Sequence, residues 1–325
     1  MKTLFVSNNQ DISLGSYRIW VRDLNLYFRE CGIDSTIGDR DSKIDEYDTI
    51  ICAKSDTYSA IRIKKDFPHK KVGVINLSAD NKGLPIDFLI VGSLEEMDSL
   101  SHYENVFLYP LIERMYQNKM DYKMHSPTNK LRIGFHGHYP HLSKFEPHLK
   151  NALEKMGDNI ELLVITGNPN FKWKFGRPNI DIIVKPWNIN TIKDDLLSCD
   201  VGIVPNMTCL NVEKLPTSVD LGLYNTDYIA RFKNKSNAGR CFVFHQLGIP
   251  VITDLTPSNF HILGDPKNGF IAYNENSWFK ALAKLQNHNL RREIADNAKK
   301  EFDRLYNPHD WAMRLYKNIL EINNG

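Results

Sequence analysis

Short apolar runs alternate with helix-length stretches along this chain, and the alternation occurs twice. In the first half Thr3–Val6, Thr49–Ala53, Val72–Leu77, Phe88–Val91 and Val106–Leu108 read as strands. A helix over Ser16–Glu30 places Val21, Leu24 and Phe28 on one face and ends near Gly32. Ser93 and Glu96 have capping-box spacing before a shorter helix. Strands separated by helices point to an α/β fold with parallel sheets. Gln117–Asn129 is polar, holds Pro127 and has no apolar period, so it reads as a linker. The second alternation follows: strands at Leu131–Phe135, Glu161–Ile165, Asp181–Val184, Val201–Val204 and Ile249–Ile252, with helices at Phe145–Lys155, Ile192–Ser198 and Leu290–Leu305. Asn307-Pro308 caps a last helix with Trp311, Leu315 and Ile319 on one side. At roughly 150 residues per domain, 325 residues make two. The expected boundaries are 1–122, completed by helix 308–323, and 129–307.

One segment carries chemistry more plainly than the rest. Between Ile229 and Asn259, Arg231, Lys233 and Lys235 precede Ser236 and Asn237, two good helix N-caps. An apolar helix through Cys241, Phe242, Phe244 and Leu247 follows and stops at Gly248. Cations and the unpaired N–H groups of a helix start then converge on one point, as holding a diphosphate requires. Arg240, placed one turn into this helix, either adds to the site or makes a surface ion pair. Gly15, Ser16 and Arg18 stand at the first strand–helix junction, where glycine allows a phosphate or sugar to approach the backbone and Ser16 could equally be a plain cap. Trp187 follows the strand Asp181–Val184; its indole either stacks on a base or packs in the core. Asp80, at the end of a strand, could orient or deprotonate an acceptor hydroxyl, or simply cap a turn. Met207–Ile229 interrupts the second half as a surface loop or a lid.

Other function classes lose support. The balance of 41 basic to 39 acidic residues provides no field for nucleic acid. There is no Walker A or GxGxxG pattern. His136, His138 and His141 cluster without an acidic partner, so no metal is expected. Five scattered cysteines without a CxxC pair fit reduced thiols in a cytoplasmic protein. No apolar run approaches the roughly 20 residues that span a bilayer, which leaves peripheral membrane contact open.

Three runs resemble GT-B glycosyltransferases, most like the retaining nucleotide-sugar-dependent group (group 1). They are Ile133-Gly134-Phe135-His136-Gly137, Leu197-Ser198-Cys199-Asp200-Val201-Gly202-Ile203-Val204-Pro205, and Leu247-Gly248-Ile249-Pro250-Val251-Ile252. The resemblance implies two Rossmann-like domains facing across a cleft, with the C-terminal helix crossing back to the first. It also implies an acceptor-binding first domain and a donor-binding second. The donor would be UDP- or GDP-linked, and the acceptor a saccharide, a lipid-linked group or a protein, in surface glycan synthesis. It places Gly137, His138 and Lys144 near the donor phosphates and leaves the nucleotide-sugar as substrate, with no cofactor. Two departures stand out. Where relatives carry two glutamates eight positions apart, this chain has Lys235 and Val243, and the strand ending Asn76–Asp80 lacks the relatives' histidine. A nucleotide-sugar 2-epimerase and a non-catalytic nucleotide-binding subunit share the architecture and stay as alternatives.

Overall fold

The computed structural model describes residues 1–77, 83–118, 120–143, 147–206, 238–263 and 266–322. The chain divides into two compact units, Met1–Arg114 with Tyr306–Gly325, and Met115–Leu305.

Unit 1 is built on a six-stranded parallel sheet. Its strands are β1 (Thr3–Val6), β2 (Ser35–Gly38), β3 (Thr49–Cys52), β4 (Lys71–Ile75), β5 (Phe88–Val91) and β6 (Val106–Leu108), in the order β2-β1-β3-β4-β5-β6. Side chains of a strand alternate between faces, so each strand feeds two cores. Phe5, Ile51, Ile75 and Ile90 meet Trp20, Leu24, Phe28, Leu315 and Ile319 on one side. Leu4, Val6, Ile50, Val72 and Leu89 meet Ala60 and Ile63 on the other. The helix Pro308–Glu321 therefore belongs to unit 1. Asn307 caps it by accepting from the His309 and Asp310 N–H groups, Tyr316 packs edge-on against Phe28, and Lys71 Nζ donates to the Ile319 and Leu320 carbonyls near its end.

Unit 2 holds β7 (Leu131–His136), β8 (Ile160–Thr166), β9 (Asp181–Pro186), β10 (Val201–Val204), β11 (Val251–Asp254) and β12 (Phe270–Ala272), again all parallel, in the order β12-β11-β10-β7-β8-β9. The chain winds outward from β7 through β8 to β9, then returns and winds the other way from β10. The order thus reverses between β7 and β10. In open parallel sheets of this kind, ligands bind beyond the C-terminal strand ends at that reversal.

Several local expectations need correction. Beyond the expected elements the fold contains β2 and β12, both short edge strands, and the helices Thr57–Asp66 and Glu275–Lys284. The first helix is interrupted by a wider π-helical stretch over Arg18–Asp23. Only half of the capping box forms as expected: Ser93 Oγ accepts from Glu96 N, while the Glu96 carboxylate accepts from Gly92 N. The polar stretch expected to be a free linker is pinned to unit 2. Lys123 N donates to Leu247 O (2.9 Å), His125 Nε2 to Gly248 O (2.9 Å), and Arg291 Nη2 to Ser126 O (2.7 Å).

Candidate nucleotide site

Two glycines decide how the helix Gly239–Gln246 sits on the sheet of unit 2. Gly134 of β7 and Gly202 of β10 are register partners at the reversal point. A Cβ at Gly202 would lie 2.5 Å from the Phe244 ring, and one at Gly134 2.6 Å from Cys199 Sγ. Without these side chains Phe244 drops onto the strands, and its ring also meets His136 edge-on at 5.3 Å. The helix ends as expected, in a Schellman motif with Gly248 at φ +67°: Ile249 N donates to Phe244 O and Gly248 N to His245 O.

The start of this helix differs from the expectation. It begins at Gly239, with Ala238 in the capping position and no side-chain cap, so Arg240 lies in the first turn and not one turn in. Arg240 is no surface ion pair either. Its Nη2 donates to Pro205 O (2.9 Å) and to Asn206 Oδ1, just past the end of β10. Its guanidinium lies 5.6 Å from the centre of the Phe135 ring in β7. Nη1 is buried and has no hydrogen-bond partner among the described residues. Burial lowers the guanidinium pKa to about 10, an effect opposed by the charge of Asp254, so the group stays cationic at neutral pH. Gly137, following β7, has φ +116°, and a Cβ there would come within 3.3 Å of Arg240 Cδ. A half-buried cation, a bare backbone and a helix N-terminus thus share the strand ends where the sheet order reverses.

Behind Arg240 runs a buried polar chain that no sequence motif marks. Asp254, the last residue of β11, accepts from Asn206 N (2.5 Å) and Asn206 Nδ2 (3.1 Å). Asn259 Nδ2 donates to Asp254 O (3.2 Å) and Thr253 Oγ1, which donates to Val204 O (2.9 Å). Asn206 follows β10, Thr253 lies in β11 and Asn259 in the helix Pro257–Leu263, and each looks ordinary at its own place in the sequence, which hid the network. In the same helix His245 is buried, and desolvation holds its pKa at about 4.

The remaining expected residues are distributed over both units. His138 is exposed after Gly137, its ring 6.1 Å from His141. Trp187 is half-buried past the end of β9, its backbone N–H donating to Thr166 O. Gly15, Ser16 and Arg18 lie in unit 1. Arg18 is buried: Nη2 pairs with Glu113 Oε2 at 2.8 Å and Nη1 donates to the carbonyls of Ile12 (2.8 Å) and Ser13 (3.2 Å). Its guanidinium therefore braces the loop before Gly15. Asp80, Lys144, Arg231, Lys235, Ser236, Asn237 and the segment 207–229 lie outside the described residues. Cys31, Cys52, Cys199 and Cys241 are free thiols, and burial raises Cys199 and Cys241 to about 12. No described helix is long and apolar enough to cross a membrane.

Solved structures match this arrangement. Sucrose-phosphate synthase from Thermosynechococcus elongatus superposes with a TM-score of 0.68 at 12% identity, over 99% of this chain and 100% of that one. HepE from Anabaena, solved with UDP, gives 0.64 at 11% identity, over 98% and 100%. The chain has the GT-B fold. TarM from S. aureus gives a TM-score of 0.58 at 11% identity over 83% of this chain, which spans only 54% of the TarM chain. No family profile matches the sequence, and no curated protein does. In a GT-B chain each Rossmann-like unit offers one reversal point, and in unit 2 that point carries Arg240.

Proposed function

We propose that this protein is a glycosyltransferase: unit 2 binds a nucleotide-sugar at the C-terminal ends of β7 and β10, and the sugar passes to an acceptor hydroxyl taken by unit 1. The observation that carries the reading is Arg240, half-buried beside a helix start, with a buried guanidinium nitrogen that has no hydrogen-bond partner among the described residues. UDP, which HepE and TarM hold in their solved complexes, has the diphosphate such a group would meet. UDP is therefore the first donor base to test, and GDP the second.

In the transfer, the bond from the anomeric carbon to the diphosphate oxygen breaks and its electron pair stays on the diphosphate. The acceptor oxygen bonds to the anomeric carbon, and its proton leaves to a base, for which Asp80 is the sequence candidate. Charge grows on the leaving oxygen, so a donor fixed at that oxygen acts more strongly on the transition state than on the ground state. Arg240 supplies one such donor. From the sequence, Arg231, Lys235 and Lys144 add cations, and Ser236 and Asn237 add polar groups. With that much positive charge the reaction needs no metal. Retention of anomeric configuration and a role in surface glycan assembly follow from the resemblance to the retaining group.

A thermal-shift panel of UDP, GDP, CMP and their sugars tests the binding. A ligand at about 100 times its dissociation constant adds roughly 2.7 kcal/mol of stability. UDP or GDP should raise the transition and their sugars should then release free sugar slowly. A panel without any shift removes the reading, and formation of an epimer without acceptor replaces it with the epimerase.

A further inference from the structure

Asp254 ends β11 fully buried, and Asn206, just past β10, is buried beside it. A carboxylate can only accept hydrogen bonds. Asp254 accepts from both nitrogens of Asn206, the backbone N–H and the side-chain amide. With its amide nitrogen committed, Asn206 must turn its Oδ1 the other way, and there it accepts from Arg240 Nη2. Pro205 O accepts from the same nitrogen at 2.9 Å. The two acceptors use Nη2 and leave Nη1 for something else. Asp254 itself is fixed from behind by Asn259 Nδ2 on its carbonyl and by the Thr253–Val204 bond across the strands.

We propose that Asp254 is a positioning residue: through the amide of Asn206 it sets the orientation of Arg240 so that Nη1 faces the second phosphate of a bound nucleoside diphosphate. This rests on the nucleotide reading above. It assigns to one carboxylate, fully buried behind Asn206, the preference of the site for a diphosphate over a monophosphate. An asparagine at 254 could present either its oxygen or its nitrogen. Asn206 would then be free to flip, and its nitrogen would face the guanidinium, which needs an acceptor.

The readout is the ratio of UMP to UDP dissociation constants by calorimetry, with GMP and GDP run alongside. A charge-assisted bond to one extra phosphate makes this ratio about 10- to 100-fold in the wild type. In Asp254→Asn the ratio should fall to about threefold or less while the UMP constant stays within about threefold of wild type. The double exchange Asp254→Asn with Asn206→Asp rebuilds the hydrogen-bond pair and again turns an oxygen towards Arg240 Nη2. Its melting temperature and its ratio should both return towards wild type. A folded Asp254→Asn protein with an unchanged ratio overturns the inference alone, as does equal loss of UMP and UDP binding, which is general damage. If Asp254→Asn does not fold, a folded double exchange whose ratio stays at about threefold or less overturns it. A wild-type protein that does not distinguish UMP from UDP, nor GMP from GDP, overturns the nucleotide reading and this inference with it.

Discussion

Arg240 is where sequence and structure diverge most usefully. In the sequence it is one cation among several near a helix start. In the fold it is the cation lodged between Phe135, Pro205 and Asn206 with a donor to spare. Replacing it with alanine should cut turnover about 10²–10³-fold if it stabilises the leaving diphosphate, measured as kcat with a UDP-sugar. An unaltered kcat would remove it from the mechanism. Gly137→Ala should disturb the same group, because its φ of +116° disfavours any side chain and the new Cβ would press on Arg240 Cδ. About 1–3 kcal/mol of stability should be lost in urea unfolding, together with UDP affinity. Two buried titratable groups give opposite pH signatures. His245 has its folded pKa lowered to about 4, so unfolding takes up a proton and stability falls as pH drops from about 6.5 towards 4. Asp23 is raised to about 6 by burial, so its neutral form suits the fold and stability is lost as pH rises from about 4 through 6. Denaturation across pH should show His245→Gln stabilised relative to wild type at pH 4.5 more than at pH 7.5. Asp23→Asn should show the reverse. Pairs of curves that run parallel across pH would contradict both.

At the scale of elements, the strands feeding both faces of a sheet were plain in the sequence because TLFV, TIIC and FLIV are apolar at every or nearly every position. The edge strands β2 and β12 were not. Ser35–Gly38 has a single strongly apolar residue, and Phe270–Ala272 is three residues long. Both gain their order from a neighbouring strand and not from their own composition. Gly248 as a helix stop was legible from residue type alone. That Tyr122 packs where its Cβ would stand was not, since 126 residues of chain separate the two. The polar stretch before β7 looked like a free linker for the same reason: its partners, Leu247, Gly248 and Arg291, are distant in sequence. Gly248→Ala combines a φ of +67° with a Cβ 2.2 Å from the Tyr122 ring. It should therefore destabilise unit 2 by about 2 kcal/mol or more in urea unfolding. A cost below about 0.5 kcal/mol would mean that this packing contributes little.

For the whole molecule, two sheets with their own cores were expected from the doubled alternation, and each unit has them. The wiring of unit 2 concentrates chemistry where β7 and β10 part, and that was legible only in part. Gly134 and Gly202 stand in two of the runs that resemble GT-B enzymes, while the Phe244 packing they permit depends on strand register. Likewise Asn206 and Asp254 are 48 residues apart in sequence and gain a shared role only in the folded sheet. Because the cations in this account belong to the protein, chelation by EDTA should leave transfer unchanged. A rate lost with EDTA and restored by Mn²⁺ would transfer that role to a metal. The most direct measurement is a crystal structure of the protein with UDP. The account predicts an oxygen of the second phosphate within about 3.2 Å of Arg240 Nη1, beside the first turn of the Gly239–Gln246 helix. A diphosphate seated away from the ends of β7 and β10, with Arg240 still unpartnered, would contradict it.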